Sequence, residues 1–170
     1  MGPGVTIIRA AVTSDLQAIT DIYNDAVLST TATFDTDPQT PAEQREWFEG
    51  HSPRLPLLVA ELDGAVIAWA SLSLWSGRCA YSEIAEASIY VHRDHRHKGT
   101  GRQLFQALLA AGKEAGFHTA IGWIAEGNDA SLRLVGSLGF SNIGTMRQVG
   151  FKFGKRLDVH LVQLMLDSLA

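Results

Sequence analysis

A carboxylate and a glycine-containing basic loop lie close together near the middle of the chain. Glu86 lies in a run typical of a β-strand, and residues 92–102 follow that run with the letters HRDHRHKGTGR. This basic loop ends in Gly99-Thr100-Gly101, just before helix-forming residues that start at Gln103. Backbone N–H groups at a helix N-terminus point outward, where the helix dipole favours an anion. The pattern predicts a phosphate-binding loop beside a carboxylate.

Two common phosphate-binding motifs are absent from this stretch. The P-loop pattern G-x-x-x-x-G-K-[ST] does not occur, and the third glycine of the dinucleotide fingerprint would fall at Leu104. What remains is Arg96-x-x-Gly99-x-Gly101 at a strand–loop–helix junction. The alternative interpretation is a solvated basic loop that opens an ordinary helix. Helix N-termini normally favour acidic residues, so the basic sequence favours the binding role.

Length and composition limit the class of protein. A chain of 170 residues suits one domain, residues 1–170, and its 46% hydrophobic and 19% charged residues exclude disorder. No apolar run approaches the roughly 20 residues of a membrane span, so we expect no membrane partner. The net charge of −4 argues against a nucleic-acid partner, because such binding needs a basic face. A small anionic ligand fits these features better.

Cysteine and histidine content point to a reducing compartment and to no metal site. Cys79 is the only cysteine, and the N-terminal letters lack the regions of a signal peptide, so the sequence predicts a cytoplasmic protein. His92, His95 and His97 have spacings that fit no common metal site, and no cysteine accompanies them. We therefore expect no metal.

The surrounding elements must position the carboxylate and the loop. Hydrophobic periodicity and turn residues predict the order β, α, α, three strands, α, β, α and two strands. Ser14 and Gln17 suggest a capping box for the first helix, Pro41 a first helical residue for the second, and Asp63-Gly64 a hairpin turn. Hairpins combined with two crossovers imply an α/β (α+β) fold, a mixed sheet with helices on both faces.

Several motifs in order resemble the GNAT superfamily of acetyl-CoA-dependent N-acetyltransferases. The resemblance covers nearly the whole chain and is greatest to the phosphinothricin and methionine sulfoximine acetyltransferase branch. It implies a twisted, mostly antiparallel mixed sheet. The motifs are Arg96-x-x-Gly99-x-Gly101, Asn128-x-x-Ser131, Leu138-Gly139-Phe140, Ile22-Tyr23-Asn24, Glu86 with Tyr90-Val91, and Lys152-x-Gly154 through Asp158-Val159 to Gln163.

The resemblance also implies where acetyl-CoA binds. Backbone amides of the basic loop would hold the pyrophosphate, and its basic side chains would add long-range attraction. Ile89 and Val91 would pair with the pantetheine as a neighbouring strand does, while Asn128 and Ser131 would hold the far side of the cofactor. The loop residues concerned are Arg96, His97, Lys98, Gly99, Thr100, Gly101 and Arg102.

Amine acetylation needs a base, because only an uncharged nitrogen can attack. A free α-amine has a pKa near 7.7–8.0, so a group that takes its proton raises the reactive fraction. In the resembled branch the glutamate at the position of Glu86 serves as that base. Glu83 and Glu126 are alternative candidates.

The sequence departs from the branch at two points of the site. Val135 stands where relatives have a tyrosine or histidine that could protonate the leaving thiolate, and Ser76 and Ser82 stand where they often have arginines. Arg78 or Arg156 could replace the arginines as the contact for a substrate carboxylate. An apolar acceptor pocket would be lined by Phe34, Trp75 and Tyr81, although each could equally be an ordinary core aromatic.

The sequence thus predicts an N-acetyltransferase that acts on the α-amine of a small amino-acid-like substrate of the phosphinothricin or methionine sulfoximine/sulfone type. Acetylation of a protein N-terminus or lysine is an alternative, since the arginine pair is lost. A non-catalytic acyl-CoA-binding module is another, motivated by Val135. The resemblance alone implies a homodimer.

Overall fold

The computed structural model describes residues 5–169, and the order of its elements is the one predicted. The start of the chain, on which the cytoplasmic prediction partly rests, includes residues 1–4 and so lies partly outside the described residues. The helices are α1 Leu16–Ser29, α2 Pro41–Glu49, α3 Thr100–Glu114 and α4 Asp129–Ser137. The strands are β1 Thr6–Ala10, β2 Leu57–Leu62, β3 Ala65–Leu74, β4 Ile84–Val91, β5 Thr119–Ala125, β6 Ser141–Lys152 and β7 Lys155–Met165.

The seven strands form one sheet in the order β1-β2-β3-β4-β5-β7-β6. Every neighbouring pair is antiparallel except β4 and β5, which run parallel over three residue pairs, from Ile84 opposite Thr119 to Glu86 opposite Ile121. The prediction of a mixed, mostly antiparallel sheet is confirmed.

Helices cover both faces of the sheet, as predicted. On one face, Leu104 and Leu108 of α3 are fully buried against the apolar residues of β3, β5 and β7. On the other face, Ile19 of α1 packs with Val59 and Trp69. Each strand residue thus faces one of two separate cores, so its side-chain direction decides which helices it contacts.

The N-terminus of α1 is built differently from the prediction. Ser14 makes no cap, so the predicted capping box with Gln17 is wrong, and a 3₁₀ turn over Thr13–Asp15 precedes the helix. Asp15, 6% exposed, accepts the Val12 N–H at 2.8 Å and both Arg9 guanidinium N–H groups at 2.7 and 2.9 Å. Long-range ion pairing therefore replaces the local cap.

Two further local predictions concern α2 and α3. Pro41 is the first residue of α2, as predicted, and Thr40 and Glu43 on either side of it form a capping box. Helix α3 begins at Thr100, three residues before the predicted Gln103. The glycine pair of the basic loop therefore spans the first turn of this helix.

Among residues 5–169, no helix has the length and apolarity needed to cross a bilayer.

We predict that Asp15→Asn lowers the free energy of unfolding by about 1–3 kcal/mol near pH 7, because it leaves buried donors poorly satisfied. The Arg9 hydrogen bonds hold the pKa of Asp15 below its ordinary value. This stabilisation is therefore complete above the unfolded-state pKa of about 3.9 and is lost as pH falls through the lower folded-state pKa. Urea unfolding across this pH range measures the effect.

A matched control is Asp21→Asn in the helix α1 that follows, where the carboxylate is exposed and accepts a hydrogen bond from Gln17. We expect a change within about 0.5 kcal/mol for this variant. An equal loss in both variants, or a loss at Asp15 that persists unchanged in acid, would contradict the role assigned to the ion pair.

Candidate active site

A cleft opens where β4 and β5 separate. Their pairing ends at Glu86 and Ile121, after which β5 continues along β7 as far as Ala125, while Ala87–Val91 pair only with β3. The separation produces a cavity of about 670 Å³. One side of it is lined by β4 and the other by β5 and α4.

The free edge of β4 presents backbone groups to this cleft. The Ile84 C=O accepts the Trp75 N–H, and the His92 N–H donates to the Ile67 C=O. Both residues therefore direct backbone groups toward the β3 side. Because the direction alternates along a strand, the backbone groups of Ile89 and Val91 face the opposite edge. That is where the sequence analysis places the pantetheine.

The basic loop leaves the first N–H groups of α3 free. The first intrahelical bond runs from Gln103 N–H to Gly99 C=O at 3.2 Å, and no side chain caps Gly99. The N–H groups of Gly99, Thr100, Gly101 and Arg102 have no acceptor among the described residues. Four outward N–H groups at the positive end of a 15-residue helix form an anion-binding site.

Gly101 brings this site against β4. A Cβ there would lie 3.4 Å from Val91 Cγ2 and 3.8 Å from Ile89 Cδ1, in van der Waals contact with both, so the helix start packs directly on β4. Two cations of the loop bond to nearby backbone carbonyls, Arg96 Nε to Val91 C=O of β4 at 3.1 Å and Lys98 Nζ to Asp94 C=O within the loop at 2.8 Å. The free backbone N–H groups are therefore the donors best placed for an anion, and these side chains contribute charge.

His97 adopts a left-handed backbone conformation within the loop, with φ of 62°. Such a conformation costs energy for a residue with a Cβ and is concentrated at ligand-binding turns. Asn128 and Ser131 lie across the cleft from β4, and the Asn128 side chain caps α4 by accepting the Ser131 N–H at 3.3 Å. The predicted cofactor residues thus surround one end of the cleft and its adjoining loop.

Glu86 is half-buried at the point of separation and lines the cleft. Burial raises the pKa of its carboxyl above the ordinary value, and the nearby Trp123 indole N–H, which favours the ionised form, partly opposes this rise. The alternative candidates fit less well. Glu83 and Glu126 are exposed and do not line this cleft, and Glu126 accepts the Asp158 N–H at 2.9 Å.

Small side chains continue from Glu86 along the face of β3 and β4. The cross-strand pairs Ser73–Glu86, Ser71–Ser88 and Trp69–Tyr90 share this face. We call these six residues the acceptor trough. It extends about 13 Å, since Tyr90 lies four residue steps along the strand from Glu86, at about 3.3 Å a step. Serines form its floor, and aromatic rings close its far end.

A loop over residues 30–40 covers the trough. Tyr23 OH bonds to Asp35 at 2.5 Å and to Thr33 at 2.9 Å, and burial is the main factor that raises the pKa of this phenol to about 12. Lys152 Nζ, buried, donates to Thr33 C=O at 2.8 Å. Asn24 exchanges two hydrogen bonds with the Gln39 backbone. The loop is thereby fixed from three sides.

Of the four predicted acceptor residues, Phe34 lines the cleft. Its ring lies so close to Gly150 that a side chain at position 150 would collide with it. Trp75, Arg78 and Tyr81 do not line the cleft. The Trp75 ring stacks on the Trp123 ring with 5.0 Å between centroids, and Trp123 in turn lies near Glu86. Arg78 and Tyr81 are exposed. Their binding roles stay predictions.

Sequence reasoning missed the trough serines, Trp69 and Tyr90. The available signal was small polar residues at every second position, in Trp69-Ala-Ser-Leu-Ser73 and Glu86-Ala-Ser-Ile-Tyr90. The charge of the cleft was also missed. Among the described residues that line it, Asp35 and Glu86 are the charged ones, and no cation accompanies them. Val135 is buried beneath the cleft and offers no proton.

Comparison with known proteins places these features in a family. Residues 17–140 match the family model described as Acetyltransferase (GNAT) family. The L-amino acid N-acyltransferase MnaT of Escherichia coli K12 is 41% identical over 163 residues, which cover 95% of this chain and 94% of that protein. The L-methionine sulfoximine/L-methionine sulfone acetyltransferase of Pseudomonas aeruginosa PAO1 is 41% identical over 162 residues, covering 94% of each chain.

A solved structure shows the same fold. The GNAT superfamily phosphinothricin acetyltransferase of Sinorhizobium meliloti, in complex with acetyl-CoA, superposes with a TM-score of 0.91 and 35% identity. The match covers 94% of this chain and 88% of that one.

The environment of Glu86 gives a prediction that needs no substrate. We expect carbon-detected NMR titration to show the Glu86 carboxyl with a pKa above the ordinary glutamate value, because burial disfavours its charge. Trp123→Phe should raise that pKa further, since it removes a nearby indole N–H that favours the ionised form. Glu86→Gln identifies the resonance. An unshifted pKa, or a fall in Trp123→Phe, would contradict this electrostatic account.

Proposed function

This chain belongs to the acetyltransferase (GNAT) family, and we propose that it transfers the acetyl group of acetyl-CoA to the α-amine of a small amino-acid-like acceptor. The single observation that carries the proposal is the position of Glu86. Its carboxyl is half-buried where the free edge of β4 meets the acceptor trough, so it lies between a cofactor site and an amine site. The relatives' activities on methionine sulfoximine, methionine sulfone and phosphinothricin support an acceptor of this class.

The chain's own groups would hold acetyl-CoA in the following way. The N–H groups of residues 99–102 bind the pyrophosphate, and the rest of the loop from Arg96 adds positive charge. Ile89 and Val91 pair with the pantetheine along the free edge of β4. Asn128 and Ser131 contact its other side. The acetyl-CoA complex of the Sinorhizobium meliloti relative supports this choice of cofactor.

Glu86 acts as the general base. It accepts a proton from the acceptor's ammonium group, directly or through a water molecule, and leaves an uncharged nitrogen in the trough. That nitrogen attacks the thioester carbonyl carbon, forming the amide C–N bond as the C–S bond breaks. A backbone N–H on the free edge of β4 is the donor available to the oxyanion. The raised pKa of Glu86 brings its basicity closer to that of the amine.

The leaving thiolate needs no dedicated acid. Val135 cannot donate, but a thiol has an ordinary pKa of about 8.5, so water or the protonated amine can supply the proton near neutral pH. The net products are the acetamide, free CoA thiol and one proton. The missing tyrosine therefore does not favour a non-catalytic module.

A second candidate function follows from the charge of the cleft. No cation lines it among the described residues, so a free α-carboxylate would find no partner there. An acceptor whose carboxyl group is in amide form, such as a peptide N-terminus, avoids this problem. Arg78 and Arg156, the two arginines that the sequence offered as contacts for the carboxylate of a small amino acid, are both exposed and do not line the cleft.

The remaining organisation is proposed as one domain, residues 1–170, that forms a cytoplasmic homodimer. The described part of the chain exposes Ile143, Val149, Phe151 and Phe153 on β6 and its turn, and β6 is an edge strand. Val149 also lines the cleft, so a second copy seated on β6 would border the acceptor site. A monomer in sedimentation equilibrium at micromolar concentration would exclude this arrangement.

The base role predicts the behaviour of Glu86→Gln. We expect kcat to fall by about 10²–10⁴ near neutral pH, with the deficit shrinking at high pH, where the amine is already uncharged. In the wild type, activity should fall with acidification through the raised Glu86 pKa, because the protonated carboxyl cannot accept a proton. Thiol release from acetyl-CoA measures both. Full activity of Glu86→Gln at neutral pH would remove Glu86 from this role.

An acceptor panel separates the two candidate functions. We expect thiol release with small α-amino acids at least as fast as with their carboxamides or with short peptides. Release confined to amides and peptides would support the second function and would contradict the first. CoA binding without release for any amine would contradict both.

A further inference from the structure

The far end of the acceptor trough holds two buried polar groups that the protein does not satisfy. Trp69 of β3 is 4% exposed and Gln44 of α2 is 5% exposed, and both side chains line the cleft. The Trp69 Nε1 and Gln44 Oε1 atoms have no hydrogen-bond partner among the described residues. Buried polar atoms without partners are rare because each carries a desolvation cost, and two at one end of a binding cleft indicate a ligand.

The surrounding packing holds these groups in place. The Trp69 ring stacks on Tyr90 at 4.8 Å and meets the Trp47 ring edge-on at 5.2 Å. Gln44 and Trp47 lie one turn apart on α2, so both belong to the helix face that covers Trp69. Because the Trp47 and Tyr90 rings hold the Trp69 indole from two sides, the Trp69 N–H points in one direction and cannot rotate to reach another acceptor.

The chemistry of the two groups limits what they can bind. An indole N–H can only donate, so its partner must be a hydrogen-bond acceptor, while a glutamine amide can accept or donate according to its orientation. The cleft already contains the carboxylates of Asp35 and Glu86 and, among its described lining residues, no cation. Buried Lys152 does not line the cleft and donates its Nζ hydrogen bond to Thr33 C=O. A negatively charged partner would therefore find no cation at the cleft surface, and a neutral oxygen fits best.

The distance from the base decides which part of the substrate carries that oxygen. Trp69 pairs with Tyr90, four residues along β4 from Glu86, which is about 13 Å between backbones. The side chains shorten this span, but an oxygen next to the reacting amine would not bridge it. The oxygen belongs at the end of the acceptor's side chain.

We propose that Trp69 and Gln44 form a subsite for a neutral oxygen-bearing group, such as a sulfone or carboxamide, at the distal end of the acceptor's side chain. This inference rests on the proposed acetylation of an amine beside Glu86. It assigns the aromatic end of the trough to substrate selection and leaves the base at the opposite end.

The test compares Trp69→Phe with wild type on two acceptors, L-methionine sulfone and L-methionine, whose side-chain skeletons match and which differ by the two oxygens. The variant keeps an aromatic ring and removes the N–H. We expect kcat/KM for the sulfone to fall about tenfold, mainly through KM, with little change for methionine. Gln44→Met, which removes the amide at similar length, should lower the same ratio.

Trp47→Phe is the matched control, because it trims a neighbouring indole that packs on Trp69 but whose nitrogen is not among the buried unpartnered atoms. The phenyl ring that remains at this position still packs on Trp69, so the sulfone-to-methionine ratio of this variant should stay close to that of the wild type. The inference is overturned if the wild type does not prefer the sulfone, if it acetylates other amines but neither acceptor, or if both tryptophan variants change the ratio equally. Failure to acetylate any amine would instead overturn the proposed function.

Discussion

The short parallel pairing between β4 and β5 is the constraint on which the rest of the site depends. It lasts three residue pairs and ends at Glu86 and Ile121. Were it longer, Ile89 and Val91 would spend their backbone groups on β5, and the cavity would close. Were it absent, Glu86 and Trp123 would not be held next to each other. The strand pairing thus fixes both the opening and the carboxylate at its apex.

Beyond that point, β4 serves two purposes through two kinds of group. Its backbone edge faces the end of the cleft that we propose for the cofactor, while the side chains of Glu86, Ser88 and Tyr90 point into the acceptor trough. The strand's other side chains, Ala85 among them, pack on the α3 side of the sheet. The alternation of a β-strand thereby separates cofactor contacts, acceptor contacts and core packing along eight residues.

Local features of the site could be predicted from the sequence, and features that depend on register could not. The strand that contains Glu86 and the basic loop that follows it are predicted from periodicity and turn residues, which act within a few positions. The trough needs β3 and β4 in a defined register, which no single stretch specifies. The cap of α1 failed as a prediction for the same reason, because Arg9 links Asp15 to Glu61, which is distant in sequence.

The serines of the acceptor trough have a consequence for how such an enzyme changes over evolution. In the proposed site, the cofactor contacts rely on backbone geometry, so they would survive most substitutions, whereas Ser71, Ser73 and Ser88 would define the acceptor space by being small. Exchanging these side chains would reshape that space without disturbing the strand pairing or the basic loop. A lineage with this division can alter its choice of amine through a few point mutations while its acyl donor stays constant.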